Sequence, residues 1–497
     1  MASNWLDTAI AAVSPGWALK RAHARRVLSY YEAAKPSTTR KARRETGSGD
    51  TAVLRAGKSL REQARHLEQN HDLARGVLNV LVANIVGANG ITIEPQPRNK
   101  DGSINVNLAA DIRQLLRDWS KRPEVTWSHD WPSAQRIACR TWVRDGEFLT
   151  QLLTGSVAGL NHGTKIPFSV ELIESDLLPF ELMSSSEPTI TAGVERNAWG
   201  RPVAYHLYKL HPGDWQSVNS FRLMPGSLDL KRVSADNMLH PKIVDRFRQA
   251  RGVSVFASVL SRLDDIKDYE ESERVAAKVA ASMAAYIKKG RPEEYDPEDD
   301  GEPRDLRFRP GMIFDDLKIG EEIGTIDTSR PNPQLEPHRN GQLRAVASGT
   351  GTAYSSVSKN YDGSFSSQRQ ELVESFGIYA MLGAEFASQF NRPIYERLLL
   401  AARLSGALKI PHSVDLETLD DALYIGPQIP WIDPAKEAAA WERLERNGHA
   451  SGPEIIRRRG QNPADVMEQE KAWRSQWKDE GLQIGTDPAN DKAKAKT

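Results

Sequence analysis

The stretch from 253 to 288 constrains the fold most. Phe256, Leu260, Leu263, Ile266, Val275, Val279, Met283 and Ile287 recur at near-helical spacing, the pattern of an amphipathic helix. At 1.5 Å per residue, some 35 residues span roughly 50 Å, longer than most helices of globular domains. The middle carries Asp264, Asp265, Asp268, Glu270, Glu271 and Glu273 against Arg262, Lys267 and Arg274, and the last third is rich in alanine. Alanine lets helices approach closely. The expectation is a predominantly helical α+β protein organised around a long rod.

The rest of the chain alternates in character. Residues 17–46 are basic, with Lys20, Arg21, Arg25, Arg26, Lys35, Arg40, Lys41, Arg43 and Arg44. Such a block repels itself and reads as a solvated, partly disordered arm; the sharper alternative is an arm that touches a partner or nucleic acid. A helix is expected over 59–86, opened by a Ser59/Glu62 capping box and carrying Leu67, Leu73, Val77, Val80, Leu81 and Ile85 on one face. ITIEPQP (91–97) reads as a strand, 106–121 and 133–144 as helices, and FLTQLL and FSVELI as strands. Residues 185–245 carry short strand signals between Gly, Pro and Ser turns and read as a small β-rich insertion. Residues 291–310 form an acidic, Pro-rich loop. The three prolines of SRPNPQLEPHRN (329–340) predict an irregular loop. Helices resume at 367–404, opened by a Ser367/Gln370 box, and at 430–480; the polar end, 481–497, reads as disordered.

Charge and cysteine content narrow the function. Lys+Arg and Asp+Glu both number 66, so the formal net charge is zero. Proteins that clamp nucleic acid tightly are usually basic overall, so neutrality leaves only looser contact with DNA. Cys139 is the single cysteine, which excludes an intrachain disulfide. The first residues lack a basic segment followed by an apolar core, so a signal peptide is not expected. The most apolar segments, near 77–87 and 275–287, are interrupted by polar residues and fall short of the ~18 apolar residues of a membrane span. No membrane association is expected.

Motifs of chemistry fare poorly. Ser356-Val-Ser-Lys359 reads S-x-x-K, the spacing of one class of serine hydrolases. That class also needs a K-T-G-like strand, which is missing, and Asn360, Asp362 and Gly363 argue against a helix continuing past Lys359. Gly57-Lys58-Ser59 resembles the end of a phosphate-binding loop, but Ala52 stands where the first glycine belongs. His66 and His71 are five apart, the wrong spacing for two metal ligands on one helical face. No catalytic residue, metal site or cofactor site is expected.

Five segments, in order, are more specific. LREQARHLEQNHDLARGVLNVLVANIVGANGI (60–91), GVERNAWGRPVAYHLY (193–208), ARGVSVFASVLSRLDDIKDYEESERVAAKVAA (250–281), YDGSFSSQR (361–369) and WIDPAKEAAAW (431–441) followed by RRRGQNP (457–463) resemble the lambda family of tailed-phage portal proteins over about residues 50–470. The resemblance implies a portal fold with wing, stem, clip and crown, assembled as a ring, usually a dodecamer, in the virion at one capsid vertex, after assembly in the host cytoplasm. It implies partners: terminase large subunit, major capsid protein and scaffold, head–tail connector protein, and double-stranded DNA held transiently and without sequence preference. Carried over by region, 1–50 is an N-terminal arm, 51–184 the N-terminal part of the wing, 185–245 a clip-like insertion, 246–290 the stem helix, 291–428 the C-terminal part of the wing, 429–480 the crown and 481–497 a tail. Asp264, Asp265, Asp268, Glu270 and Glu271 would face the channel or the neighbouring subunit, the rival being an ordinary solvated helix face. Arg330, Pro331, Pro333, Pro337, His338 and Arg339 would belong to a tunnel loop, 329–340. The rival readings are an S-x-x-K hydrolase using Ser356 and Lys359, and a monomeric DNA-binding protein using the basic arm.

Overall fold

The chain was analysed as a computed structural model that describes residues 10, 12–28, 46–214, 230–281, 285–289, 321–325, 332–429 and 433–481. It divides into two units, Met1–Thr51 and Ala52–Thr497. In the first, part of the basic arm is a helix, α1 (Pro15–Leu28).

Helix α2 (Gly49–Asn70) begins ten residues before the expected start. The Ser48 hydroxyl accepts the Thr51 N–H at 3.2 Å and is the cap. Ser59 lies mid-helix and accepts a hydrogen bond from the Gln63 amide instead, so the Ser59/Glu62 box is a chance match. His71 breaks the run and caps α3 (Asp72–Ile85). After β1 (Thr92–Pro95), α4 (Val106–Ser120) and α5 (Trp131–Asp145) form as expected. Asn105 accepts the Leu108 N–H at 2.9 Å, and Asp130 the Ser133 N–H at 2.9 Å. Each satisfies a donor that the first helical turn leaves without an intrahelical partner.

The strands are antiparallel throughout the described residues. β2 (Leu149–Thr154) pairs with β3 (Phe168–Ile173) and with the short β8 (Met238–Leu239). The region 185–245 is β-rich as expected: β4 (Thr189–Thr191), β5 (Val194–Arg196), β6 (Pro202–Tyr208) and β7 (Leu230–Ser234) form one sheet in that order. Its Val194, Tyr205, Leu207 and Val233 share a core with Leu149 of β2 and Ile173 of β3, so the sheet packs against them.

The expected rod is shorter than 253–288. Residues 255–258 are a 3₁₀ turn, α6 runs Leu260–Ala281, and 285–289 is a strand, β9 (Ala285–Lys289), paired with β10 (Glu321–Thr325). Tyr and Ile, at 286 and 287, are residue types that suit a strand, so the helical spacing of Ile287 does not prolong the helix, while Met283 lies outside the described residues. The proline loop is also shorter. Helix α7 (Leu335–Thr350) starts inside it. Pro337 sits in the first turn, where its missing N–H costs no intrahelical bond.

Then come α8 (Tyr354–Ser358), α9 (Phe365–Phe386), a π turn (Ala387–Asn391), α10 (Arg392–Leu404) and β11 (Ala422–Ile425), which pairs with β1. Ser364, not Ser367, caps α9, accepting the Ser367 N–H at 3.3 Å. The segment 430–480 is three helices, α11 (Pro434–Arg446), α12 (Gly452–Arg458) and α13 (Pro463–Asp479). Each has a proline in its first turn, and Asp433, Ser451 and Asn462 cap them.

The main core is aromatic. Trp119 lies 5.1 Å from Trp131, Trp131 5.3 Å from Phe390, and Phe390 5.2 Å from Phe386, ring centroid to centroid. Such pairs add roughly 0.5–1.5 kcal/mol each beyond the area they bury. The Trp119 indole N–H donates to the Phe168 carbonyl at 3.0 Å, which ties α4 to β3.

Candidate functional site: the α6–α7 hairpin and its anchor

The residues singled out in the sequence meet on α6 and α7. Leu260, Leu263 and Ile266 of α6 are buried, but no described side chain from Lys267 to Lys278 is. α7 mirrors this, with Leu343, Val346 and Ala347 buried near its end and an exposed beginning. Arg262 bonds Gln342, Tyr269 packs edge-on to His338 at 5.0 Å, Glu270 pairs with Arg339, and Glu273 accepts from Asn332 at 3.2 Å. Arg262, near the start of α6, meets Gln342, whereas Glu273, farther along it, meets Asn332 just before α7, so the helices are antiparallel. They leave the core together, with the β9–β10 pair lying between them in the chain.

The five carboxylates therefore divide. Glu270 is half-buried against Arg339, which joins a residue of the acidic set to one of the tunnel-loop set. Asp265 lines a small crevice with Tyr269, Glu270, His338 and Arg339. Asp264, Asp268 and Glu271 follow i, i+4, i+7 spacing, which places them along one exposed face, and Val275 continues it, 53% exposed. None of the three makes an ion pair among the described residues. Of the tunnel-loop set, Pro333 is in a turn, Pro337, His338 and Arg339 are helical, and Arg330 and Pro331 lie outside the described residues.

The anchor of this hairpin escaped the sequence reading. Glu147, buried just before β2, receives Arg251 through Nη2 at 2.6 Å and Nε at 2.8 Å, the Gly252 N–H at 2.7 Å and the His240 ring at 2.9 Å. Arg251 also donates to the carbonyls of Leu178 at 2.9 Å, Ala192 at 3.1 Å and Ser175 at 3.2 Å, and its guanidinium lies 4.0 Å from the Phe180 ring centroid. Arg61 and Arg65 of α2 extend the network through Asp176 at 3.1 Å and 2.5 Å. Burial pushes the Glu147 carboxyl up, but Arg251 and His240 outweigh it and hold the group well below the carboxylate range. Burial pushes His240 down to about 4, against the pull of Glu147. Next to this cluster Gly252 meets Gly146 backbone to backbone: a Cβ on Gly252 would lie 2.0 Å from the Gly146 carbonyl oxygen. The chain that enters α6 is thus clamped to α2, α5 and the β-rich region. Nothing in ARGVS sets Arg251 apart from neighbouring arginines; only its burial does.

The rival chemistry finds little support in the geometry. Lys359 ends α8 in the left-handed region, φ 58°, and is exposed, so Ser356 and Lys359 do not share a buried cleft. Gly57, Lys58 and Ser59 lie inside α2. Glu174, Asp176 and His211 come close enough to share a cation, but Asp176 already spans two arginines.

A family model described as phage portal protein, lambda family, matches residues 35–382. A probable portal protein of Halomonas phage phiHAP-1 is 26% identical over 440 residues, covering 86% of this chain and 82% of that protein. Similar solved structures include the neck of a native GTA particle computed with C12 symmetry, at TM-score 0.45 and 14% identity over 82% of this chain and 94% of that one. Another is the virion of a native gene transfer agent particle, at TM-score 0.42 and 13% identity over 84% and 99%.

Proposed function

Because the chain belongs to the lambda family of phage portal proteins, we propose that its copies close into a ring, expected as a dodecamer, at one capsid vertex, and that double-stranded DNA is packaged and ejected along the ring's axis. The family match over residues 35–382 carries this reading. The α6–α7 hairpin supports it, because two helices that leave the core with largely unburied faces need other copies to cover them. In this reading α6 and α7 are the stem. The clip includes the β9–β10 pair that lies between them in the chain. That pair fits better than 185–245, which shares a core with β2 and β3. The wing is the body built on α2 to α5, and α11 to α13 form the crown. The terminase large subunit docks at the clip and the head–tail connector protein later takes its place, while major capsid protein and scaffold surround the wing.

For the constriction, the turn 359–364 is the better candidate now that 335–340 is helical. Tyr361 and Phe365 are 58% and 60% exposed there, and Gln368 holds the turn through the Gly363 carbonyl at 3.3 Å. The duplex carries one negative charge per about 1.7 Å of axis, so a strongly basic wall would hold it. A chain with no net positive charge lets it slide. Electron microscopy of the purified chain in negative stain tests the assembly: rings with a central channel are expected, and a chain that stays a 55.3 kDa monomer at high concentration and beside the other head proteins would overturn it.

A further inference from the structure

Trp199 and Phe247 are 89% and 103% exposed, on two loops that are tied together. Trp199 tops the β5–β6 hairpin, where the Asn197 side chain accepts the N–H groups of Trp199 at 3.1 Å and Arg201 at 3.0 Å. Phe247 precedes Arg248, which is left-handed at φ 64°, and the Arg248 carbonyl accepts Arg196 Nη1 at 2.9 Å. The Arg248 guanidinium also lies over Gly200, 3.2 Å from where a Cβ would stand. Val203 and Val244, 39% and 40% exposed, adjoin the two aromatics in sequence. Arg196, Arg201, Arg246 and Arg248 flank them in sequence, and Asp245 is the single acid within 196–203 and 244–248. Isolated exposed aromatics need no explanation, but two on loops tied together through Arg196 and Arg248 and flanked by arginines have the composition of a binding hot spot.

We infer that this patch is one half of the contact between neighbouring copies, and that its other half is the Asp264–Asp268–Glu271–Val275 face of α6. The inference rests on the ring reading above and adds to it which surfaces meet. That face has the complementary chemistry: three exposed carboxylates without an ion pair among the described residues, followed by an exposed valine. Arginines on one copy meet carboxylates on the next, and Trp199 and Phe247 cover Val275. The two halves are different surfaces of the same chain, so the contact is head to tail, the kind that closes into rings.

Trp199→Cys and Val275→Cys together, treated with a flexible bismaleimide, test it, because Cys139 is fully buried. A ladder of chain multiples is expected on a denaturing gel, absent from either single variant. Arg201→Glu with Arg248→Glu should raise the concentration needed for assembly at least tenfold, and adding Asp268→Arg with Glu271→Arg should restore it. Rings that form without cross-links, or at unchanged concentration in the double charge reversal, would overturn the contact and leave the ring reading standing. The same result with weakened binding of a DNA duplex would assign the patch to DNA instead. A chain that never assembles would sink both.

Discussion

Arg251 reaches Glu147 at 2.6 Å with both side chains 1% exposed. That pair joins the segment entering α6 to the residues that precede β2, and its energetics are asymmetric. Forming a buried pair gains little net stability, but removing one partner leaves an unpaired charge in the interior. Arg251→Met should cost about 3–5 kcal/mol in denaturant unfolding. Arg251→Met with Glu147→Gln should cost less than the single change, since no buried charge is then stranded.

Two glycines should respond in opposite directions. Gly252→Ala drives a methyl group into the Gly146 carbonyl, which is backbone and cannot step aside. The variant should lose soluble folded protein or melt far below the parent. Gly341→Ala, inside α7 with nothing within 4 Å of the added carbon, should gain about 0.5–1 kcal/mol from helix propensity. Thermal melts of the two, side by side, check both signs.

Stability should fall on acidification in two overlapping ranges. His240 is held neutral in the fold, at about 4 against an ordinary 6.5, so the unfolded chain binds the proton first and stability drops as pH falls from 6.5 to 4. The loss is on the order of 3 kcal/mol. Glu147 is depressed, so its contribution is present above the ordinary value of 4.5 and is lost below it. His240→Gln should flatten the upper range and leave the lower one. A denaturation series from pH 7 to pH 4 would contradict this if the two proteins kept the same slope.

Replacing residues 360–363 by glycine and serine should leave ring assembly unchanged and impair the retention or packaging of DNA in particles. Replacing 332–334 should do so less. Equal DNA filling by the first variant would remove the turn from the channel. By contrast, Arg339→Ala breaks a partly exposed pair with Glu270 and should cost no more than about 1 kcal/mol.

Much of this architecture is legible in the residues, and the illegible part has a common cause. Apolar period ran one helix over 59–86 across the break at His71, while the helices expected at 106–121, 133–144 and 367–404 match α4, α5, α9 and α10, which bury one face in a shared core. It overran α6 at both ends. At its start, backbone contact between Gly146 and Gly252 overrides periodicity, and at its end β9 obeys its partner β10, a pairing of residues more than thirty apart. Ser59 and Ser367 each satisfied a capping pattern while Ser48 and Ser364 held the caps, since a four-residue pattern cannot tell which of two nearby serines has the extended backbone a cap requires. The anchor was invisible for a deeper reason. A charged side chain reads as surface, and only the tertiary fold brings Arg61, Glu147, His240 and Arg251 out of water together.

The π turn at Ala387–Asn391 sets the phase between α9 and α10. Phe386, Phe390, Ile394 and Leu398 are four apart and all buried. On an uninterrupted helix of 3.6 residues per turn, each step of four would drift roughly 40° around the axis, and the row would spiral out of the core. The wider turn takes up part of that drift and returns the row to one side. Its length therefore matters more than its composition: deleting a single residue there would rotate all of α10 against the core it packs on, whereas exchanging one would change only a local contact.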